Sequence, residues 1–271
     1  MSDCSNSSNV ENDRVRNKVR ERYGKVAETG HSDLGGYSTS NSCCGTPDVD
    51  ATSKALGYSL EELAAVPGGA NLGLGCGNPQ AIASIKNGET VLDLGSGAGF
   101  DAFLAAKQVG DVGQVIGVDM TPSMISKARN NANESSFTNV DFRLGEIENL
   151  PVANDAVDVI ISNCVINLSP NKQRVFTEAF RVLKPKGRLA ISDVVATAEL
   201  PDEMKSDVDL LTGCMSGASL ITDLESMIQK AGFQDIKIQP KNESKEFIKE
   251  WASEHNVTDY VVSATIEATK A

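Results

Sequence analysis

From about residue 90 to 194 the chain keeps one rhythm, in which short apolar runs alternate with stretches of helical spacing. "TVLDLG", "QVIGVDM", "NVDFRLG", "AVDVIISN" and "GRLAISDV" read as strands; "GFDAFLAAKQVG", "PSMISKARNNAN" and "NKQRVFTEAFRVL" read as the helices between them. The strands are apolar on both faces, so both faces must be covered. A parallel sheet with helices on each side does this. Downstream, "SLITDLESMIQKAGF" reads as an amphipathic helix ending in glycine, and "DIKIQP" and "DYVVSATIEAT" as two last strands flanking a helix near Glu246–His255. Upstream, residues 1 to about 50 are polar and rich in Ser, Asn and Gly, apart from a helix predicted over Val15–Ala27. That helix would set Val15, Val19 and Tyr23 on one stripe. "LGYSLEELAAV" and "PGGANLGLGCGNPQAIASI" read as short helices broken by glycines, with Asn78–Pro79 a helix start.

Charge and cysteine usage exclude several functions. A net charge of -12 and a pI near 4.7 leave no cationic footprint for nucleic acid. No apolar run reaches transmembrane length and the N-terminus lacks a signal peptide's apolar core, so a cytoplasmic protein is expected. The six cysteines, Cys4, Cys43, Cys44, Cys76, Cys164 and Cys214, are scattered and form no CxxC. In a reducing compartment such thiols are buried, metal-binding or reactive rather than structural disulfides. With only His31 and His255 as histidines, a histidine base or triad is not expected.

The first strand leads into "VLDLGSGAGF", where Gly95, Gly97 and Gly99 let backbone approach a ligand ahead of a helix N-terminus. The spacing is GxGxG rather than GxGxxG, with Phe100 in the third glycine's place. Asp119 closes the second strand at the distance where an acid receives ribose hydroxyls; its bland reading is a helix N-cap. After the third strand, "LGEIENLP" offers Glu146 and Ile147 as an acidic and apolar edge for an adenine. All three features fall at the C-terminal edge of the sheet, where open α/β folds bind ligands.

This ordered set resembles class I S-adenosylmethionine-dependent methyltransferases over roughly residues 89–195. The resemblance implies a Rossmann-like α/β core with a seven-stranded, mostly parallel sheet whose last strand is antiparallel. It implies S-adenosylmethionine as cofactor, held by Asp93, Gly95, Ser96, Gly97, Asp119, Met120, Glu146, Ile147 and Asn163. Residues 1–88 would be a helical and loop segment closing over the site, 89–195 the cofactor-binding core, and 196–271 a part carrying a substrate loop and the final strands.

The acceptor is a question for the thiols. Cys164 follows the fourth strand, Cys214 lies in "LLTGCMSGA" beyond the fifth, and Cys76 sits in "LGLGCGNP" before the first. A single buried cysteine is ordinarily packing. Cys76 and Cys214, however, sit beside glycines, which pack poorly. Thiolates favour soft centres, and three of them would hold trivalent arsenic as a pyramid with its lone pair outward. Such a lone pair is a nucleophile with no proton to remove, so no histidine base is needed.

"RYGKVA", "CCG", "GCG", "DLGSGAGFD", "GVDMT", "SNCVINLSP", "AFRVLKP", "SDV" and "GCMSGA" together resemble arsenite S-adenosylmethionine methyltransferases from about residue 15 onward. The resemblance implies that Cys164 and Cys214 bind arsenic(III), that Cys76 is a third ligand or a disulfide partner, and that Cys44 or its neighbour Cys43 takes part in a redox relay. Cys44 is the choice made here. A thiol reductant of thioredoxin or glutathione type is implied as partner, and neither nucleic acid nor membrane. Leu72 and Leu74 stand where eukaryotic members have aromatics, and "KPKG" (Lys184–Gly187) replaces the more usual "KPGG", expected to be a neutral change. Asn167 is expected to satisfy backbone groups of the turn that follows it. Tyr23 either closes over the cofactor or packs inward. A methyltransferase with a carbon or amine acceptor, and a non-catalytic thiol protein that sequesters arsenic, are the competing readings.

Overall fold

The computed structural model describes residues 3–30, 49–205, 207, 210–211, 213–251 and 256–271. Its centre is a seven-stranded sheet in the order β3-β2-β1-β4-β5-β7-β6. The strands are β1 (Thr90–Leu94), β2 (Gln114–Asp119), β3 (Val140–Leu144), β4 (Val157–Asn163), β5 (Leu183–Ala196), β6 (Gln234–Lys241) and β7 (Val261–Thr269). β7 runs antiparallel between β5 and β6, and the remaining pairs are parallel. The expected sheet, including its antiparallel last strand, is the one observed.

The helices are α1 (Asp3–Thr29), α2 (Val49–Ala55), α3 (Leu60–Ala65), α4 (Gln80–Ala83), α5 (Phe100–Val109), α6 (Pro122–Glu134), α7 (Lys172–Val182), α8 (Asp202–Lys205), α9 (Ile221–Lys230) and α10 (Lys245–Trp251). Successive side chains of a strand point to opposite faces. Thus Leu92 and Leu94 join Ile160 and Ile191 under α7 and α9, packed against Phe176 and Ile228. Val91, Val159 and Ile161 join Phe103 of α5 and Ile125 of α6 on the other face. Each such buried side chain contributes about 1.5–3 kcal/mol. Among the described residues, no helix is long and apolar enough to cross a membrane.

Two local expectations need correction. α1 is longer than the helix predicted over Val15–Ala27, because its first turns carry no apolar stripe to reveal them. They are polar, with Arg14 and Glu11 paired one turn apart. The inward stripe of α1 is Val19, Val26 and Ala27, with Tyr23 part-buried. The lysine of "KPKG" is also not neutral, since Lys186 has φ +68°. Glycine accepts that backbone freely, whereas an L side chain is strained there.

Candidate active site

Strand order reverses between β1 and β4, and a crevice opens beyond their C-terminal ends. Asp93, Gly95, Ser96, Gly97, Asp101 and Asn163 line one side of it, and Leu72, Leu74 and Gly75 another. Gly95, Gly97 and Gly99 have φ of +70°, +51° and +98°. A Cβ on Gly95 would meet Val165 at 2.4 Å and one on Gly99 would meet Phe103 at 2.6 Å, whereas one on Gly97 would meet nothing nearer than 4.0 Å. Packing therefore demands the outer two glycines. The middle one leaves room for something outside the protein.

Asp119 ties this loop to β2: one carboxylate oxygen accepts from Gly97 N–H at 3.0 Å and the other from Thr121 N–H at 2.8 Å. It is not the N-cap of α6, a position held by Thr121 with proline behind it. Burial raises its pKa against those two hydrogen bonds. Asp101, in the first turn of α5, accepts from the Tyr58 hydroxyl at 2.8 Å and the Asn163 amide at 3.2 Å. Burial nonetheless pushes it up to about 6. Asp93 is pushed well above the carboxylate range by burial, then by Asp101 and Asp119. Two acids, Asp93 and Asp101, thus line a crevice whose described lining has no Lys or Arg, with Asp119 behind its glycine loop. Two buried atoms there, Asp93 Oδ2 and Ser96 Oγ, have no hydrogen-bond partner. An orphaned buried polar group costs about 1–3 kcal/mol, which a cationic ligand with N–H and O–H groups would recover.

The thiols gather at the neighbouring end of β4 and β5. Cys76, Cys164 and Cys214 are free and buried, at 1%, 7% and 3% exposure. The Cys76 thiol donates to the Ser192 carbonyl at 3.5 Å and the Cys214 thiol to the Cys164 carbonyl at 2.7 Å. Sγ of Cys76, Sγ of Cys164 and a carboxylate oxygen of Asp193 lie within 4.8 Å of one another. Cys164 and Cys214 both have positive φ, +59° and +63°. Such backbone strain in non-glycine residues concentrates at functional sites. The glycines around Cys76 serve close approach: a Cβ on Gly75 would meet the Asn163 amide at 2.6 Å, and one on Gly77 the Ser192 hydroxyl at 2.1 Å. Burial pushes the Cys76 thiol up to about 11 and Cys164 well above the usual thiol value. Cys214 is raised by its hydrogen bond with Cys164 and then by burial. All three rest as neutral thiols.

The other predicted residues have partners within the protein. Asn163 is saturated by the protein: its carbonyl accepts from Cys76 N–H at 2.9 Å and its amide donates to Gly77 O at 2.8 Å. Asn167 does not serve the turn after it; its amide donates back to Asp193 at 2.9 Å, Val194 O at 2.6 Å and Cys214 O at 3.2 Å. Glu146 is ion-paired to Arg20 and Arg16 of α1, Ile147 packs in the core, and Met120 packs against the thiol cluster. Tyr23 also lies on that cluster, its hydroxyl hydrogen-bonded with the Cys214 thiol. Cys43 and Cys44 lie outside the described residues, and Cys4 falls in α1.

A family model described as a methyltransferase domain matches residues 85–232. An arsenite methyltransferase of Halobacterium salinarum is 55% identical over 94% of this chain and 66% of its own length. One from Aquipseudomonas alcaligenes is 38% identical over 83% of this chain and 63% of its own. This chain therefore spans just under two thirds of the length of those relatives. The crystal structure of CrArsM, an arsenic(III) S-adenosylmethionine methyltransferase from Chlamydomonas reinhardtii, matches with a TM-score of 0.62. It is 34% identical over 84% of this chain and 75% of that one.

The chain belongs to the arsenite methyltransferase family.

Three residues of the candidate site in this arsenite methyltransferase family member carry little signal in the sequence. Asp101, Tyr58 and Asp193 each stood inside or near a quoted motif without being singled out. Asp193 had a usable signal, an acid inside the apolar strand "LAISDVV". Asp101 was masked by its place in a helix first turn, where acids are common for dipole reasons alone. Tyr58 had no signal, because only the fold carries it across to Asn163, to which it is bonded at 2.9 Å.

Proposed function

We propose that this protein transfers methyl groups from S-adenosylmethionine to trivalent arsenic held by Cys76, Cys164 and Cys214. The observation that carries the reading is the convergence of three buried free thiols beside a crevice of uncompensated acids. The crevice fits the cofactor on this chain's own chemistry: Asp93 and Ser96 have unmet hydrogen-bonding capacity, and the acids Asp93 and Asp101 favour a cation. When bound, S-adenosylmethionine supplies an electrophilic methyl group on a positively charged sulfur.

The thiols condense with arsenous acid, forming three As–S bonds and releasing three waters, so each thiol proton leaves with a hydroxide. Their raised pKa values are then no obstacle. Cys76, Cys164 and Cys214 would hold arsenic with its lone pair free, and that pair would form the As–C bond. The methyl group would come from the bound cofactor, whose sulfur would keep the electron pair of the C–S bond. Placement supplies much of the acceleration, with reacting atoms about 3–3.5 Å apart. The product arsenic is pentavalent, so its return to the trivalent state consumes two electrons, supplied by a thioredoxin- or glutathione-type thiol that becomes a disulfide. A reducing, cytoplasmic setting agrees with the free thiols. Within residues 1–88, α1 acts as a cover: it is pinned by Arg16 and Arg20 to Glu148 and Glu146, with Tyr23 on the thiols.

The test is incubation with labelled cofactor, arsenite and a thiol reductant, followed by arsenic speciation. Label in methylated arsenic supports the reading. Label only in carbon or nitrogen acceptors, or arsenite bound without turnover, overturns it.

A further inference from the structure

Asp193 has no part in that reading, yet one of its carboxylate oxygens lies within 4.8 Å of the sulfurs of Cys76 and Cys164. It is 2% exposed on β5. One carboxylate oxygen accepts from Ile166 N–H at 2.9 Å, and the other from Val194 N–H at 2.8 Å and the Asn167 amide at 2.9 Å. All of these partners are N–H donors and both oxygens act as acceptors, the pattern of an ionised carboxylate. Asn167, which orients it, also holds Cys214 O at 3.2 Å, so the acid and the third thiol are registered by one side chain. Lys172 is the cation whose charge reaches it, but the ammonium is engaged by Gly217 O and Ser219 Oγ. Among the described residues no salt bridge neutralises Asp193.

We propose that Asp193 is the countercharge for arsenic during methyl transfer: fixed beside Cys76 and Cys164, it stabilises the positive charge arsenic gains as the methyl group arrives. The inference rests on the reading above. Arsenic held by three thiolates is neutral. Once its lone pair has formed the As–C bond and the C–S pair has left with sulfur, the positive charge resides on arsenic. One unit of charge therefore moves from the crevice of Asp93 and Asp101 to the thiol cluster. A buried site with no anion would oppose that movement, because charge is poorly solvated there. Asp193 is already in place and costs no reorganisation, which makes such stabilisation effective in catalysis. It is not needed as a ligand, since three sulfurs complete the arsenic pyramid.

The test compares the full chain with Asp193→Asn and Asp193→Glu. Arsenite binding is read by equilibrium dialysis, cofactor binding by calorimetry, and transfer by single turnover of preloaded protein. The expected result for Asp193→Asn is arsenite and cofactor affinity within about threefold of the parent and a transfer rate lower by about 100-fold, the range seen when one preorganised electrostatic partner is removed. Asp193→Glu, which keeps the charge, should recover at least a tenth of the parent rate. Transfer by Asp193→Asn within threefold of the parent would overturn the inference. So would loss of arsenite affinity in step with rate, which would make Asp193 a support for the thiols only. If Asp193→Asn fails to fold, Asp193→Glu decides alone: a rate more than 100-fold down with arsenite still bound overturns the inference. No arsenic methylation by the parent chain would instead overturn the function reading, and this inference with it.

Discussion

The thiol of Cys214 donates to the backbone carbonyl of Cys164 across 2.7 Å, joining residues fifty positions apart in the chain. Both hold left-handed backbones, and both lie outside the Asp93–Gly97 cradle. Their chemistry should be separable from cofactor binding. Cys164→Ser and Cys214→Ser are each expected to lower arsenite methylation by more than 100-fold, with S-adenosylmethionine affinity within about threefold of the parent. Each buried hydroxyl should cost about 1–3 kcal/mol where it is left poorly paired. Speciation and calorimetry on the same preparations check both halves, and near-normal turnover in either variant removes that residue from the site.

Arsenite binding should be nearly flat with pH between 6 and 8. The three thiols are protonated across that range, with Cys76 near 11 and the others raised as well. Condensation with arsenous acid makes water and leaves no net proton behind. A divalent soft cation such as cadmium displaces protons from the same thiols, so its affinity should rise about tenfold per pH unit for each thiol it deprotonates. Dialysis of both ions at three pH values checks the contrast. A steep rise for arsenite would mean the thiols are bound through prior ionisation.

The sheet was legible because β1, β2 and β4 are apolar runs and the segments between the strands are of helical length, while β3, at the sheet edge, alternates Val, Asp, Phe, Arg and Leu. The cofactor loop was legible for the same reason: glycine, acid and strand end recur at fixed places. The thiol cluster was legible only as three separate cysteines, since their meeting depends on the return of β5 beside β4 and on a loop beyond β5. Asn167 shows the limit. Its sequence neighbours are turn residues, but its partners are Asp193, Val194 and Cys214, set by tertiary packing. α1 before Val15 was invisible because a polar helix lacks the periodicity that signals one.

Lys186→Gly should stabilise the protein. Its φ of +68° suits glycine, and its side chain is exposed, so little contact is lost. Relief of the left-handed strain, about 1–2 kcal/mol, is partly offset by glycine's greater freedom when unfolded, about 0.5–1 kcal/mol. The net gain should lie between about 0 and 1.5 kcal/mol, with about 0.75 kcal/mol as the central value, visible as a rise in the denaturant midpoint with an unchanged slope.

Gly95→Ala and Gly97→Ala should fail in different ways. At Gly95 the new methyl would meet Val165 at 2.4 Å, and φ is +70°. That combines overpacking with backbone strain and should cost about 2–4 kcal/mol. At Gly97 the space is open, so only the strain of φ +51° applies, about 1–2 kcal/mol. Gly97→Ala should therefore stay folded while losing at least tenfold in cofactor affinity, because its methyl occupies the side of the loop left clear. Cofactor affinity equal to the parent's in folded Gly97→Ala would place the ligand elsewhere.

Asp101 sets a pH dependence whose sign can be worked out. Burial raises it from 3.8 to about 6, against hydrogen bonds from Tyr58 and Asn163. Between those values the folded chain binds more protons than the unfolded one, so this group's contribution to stability is greatest below 3.8 and declines as pH rises through 6. The full swing is roughly 3 kcal/mol at most. Asp93 is raised in the same direction, but Glu89 and Glu178 are lowered by their arginine partners and oppose it. The difference between Asp101→Asn and the parent isolates the one group. Without ligand, Asp101→Asn should gain in melting temperature relative to the parent as pH rises from 4 to 7. Saturating S-adenosylmethionine should shrink or reverse that advantage, because its positive charge stabilises the ionised acid of the parent and not the amide. An Asp101→Asn advantage that shrinks with rising pH in the free protein would show that Asp101 is ionised comfortably without a cation, and that the crevice is not built to receive one.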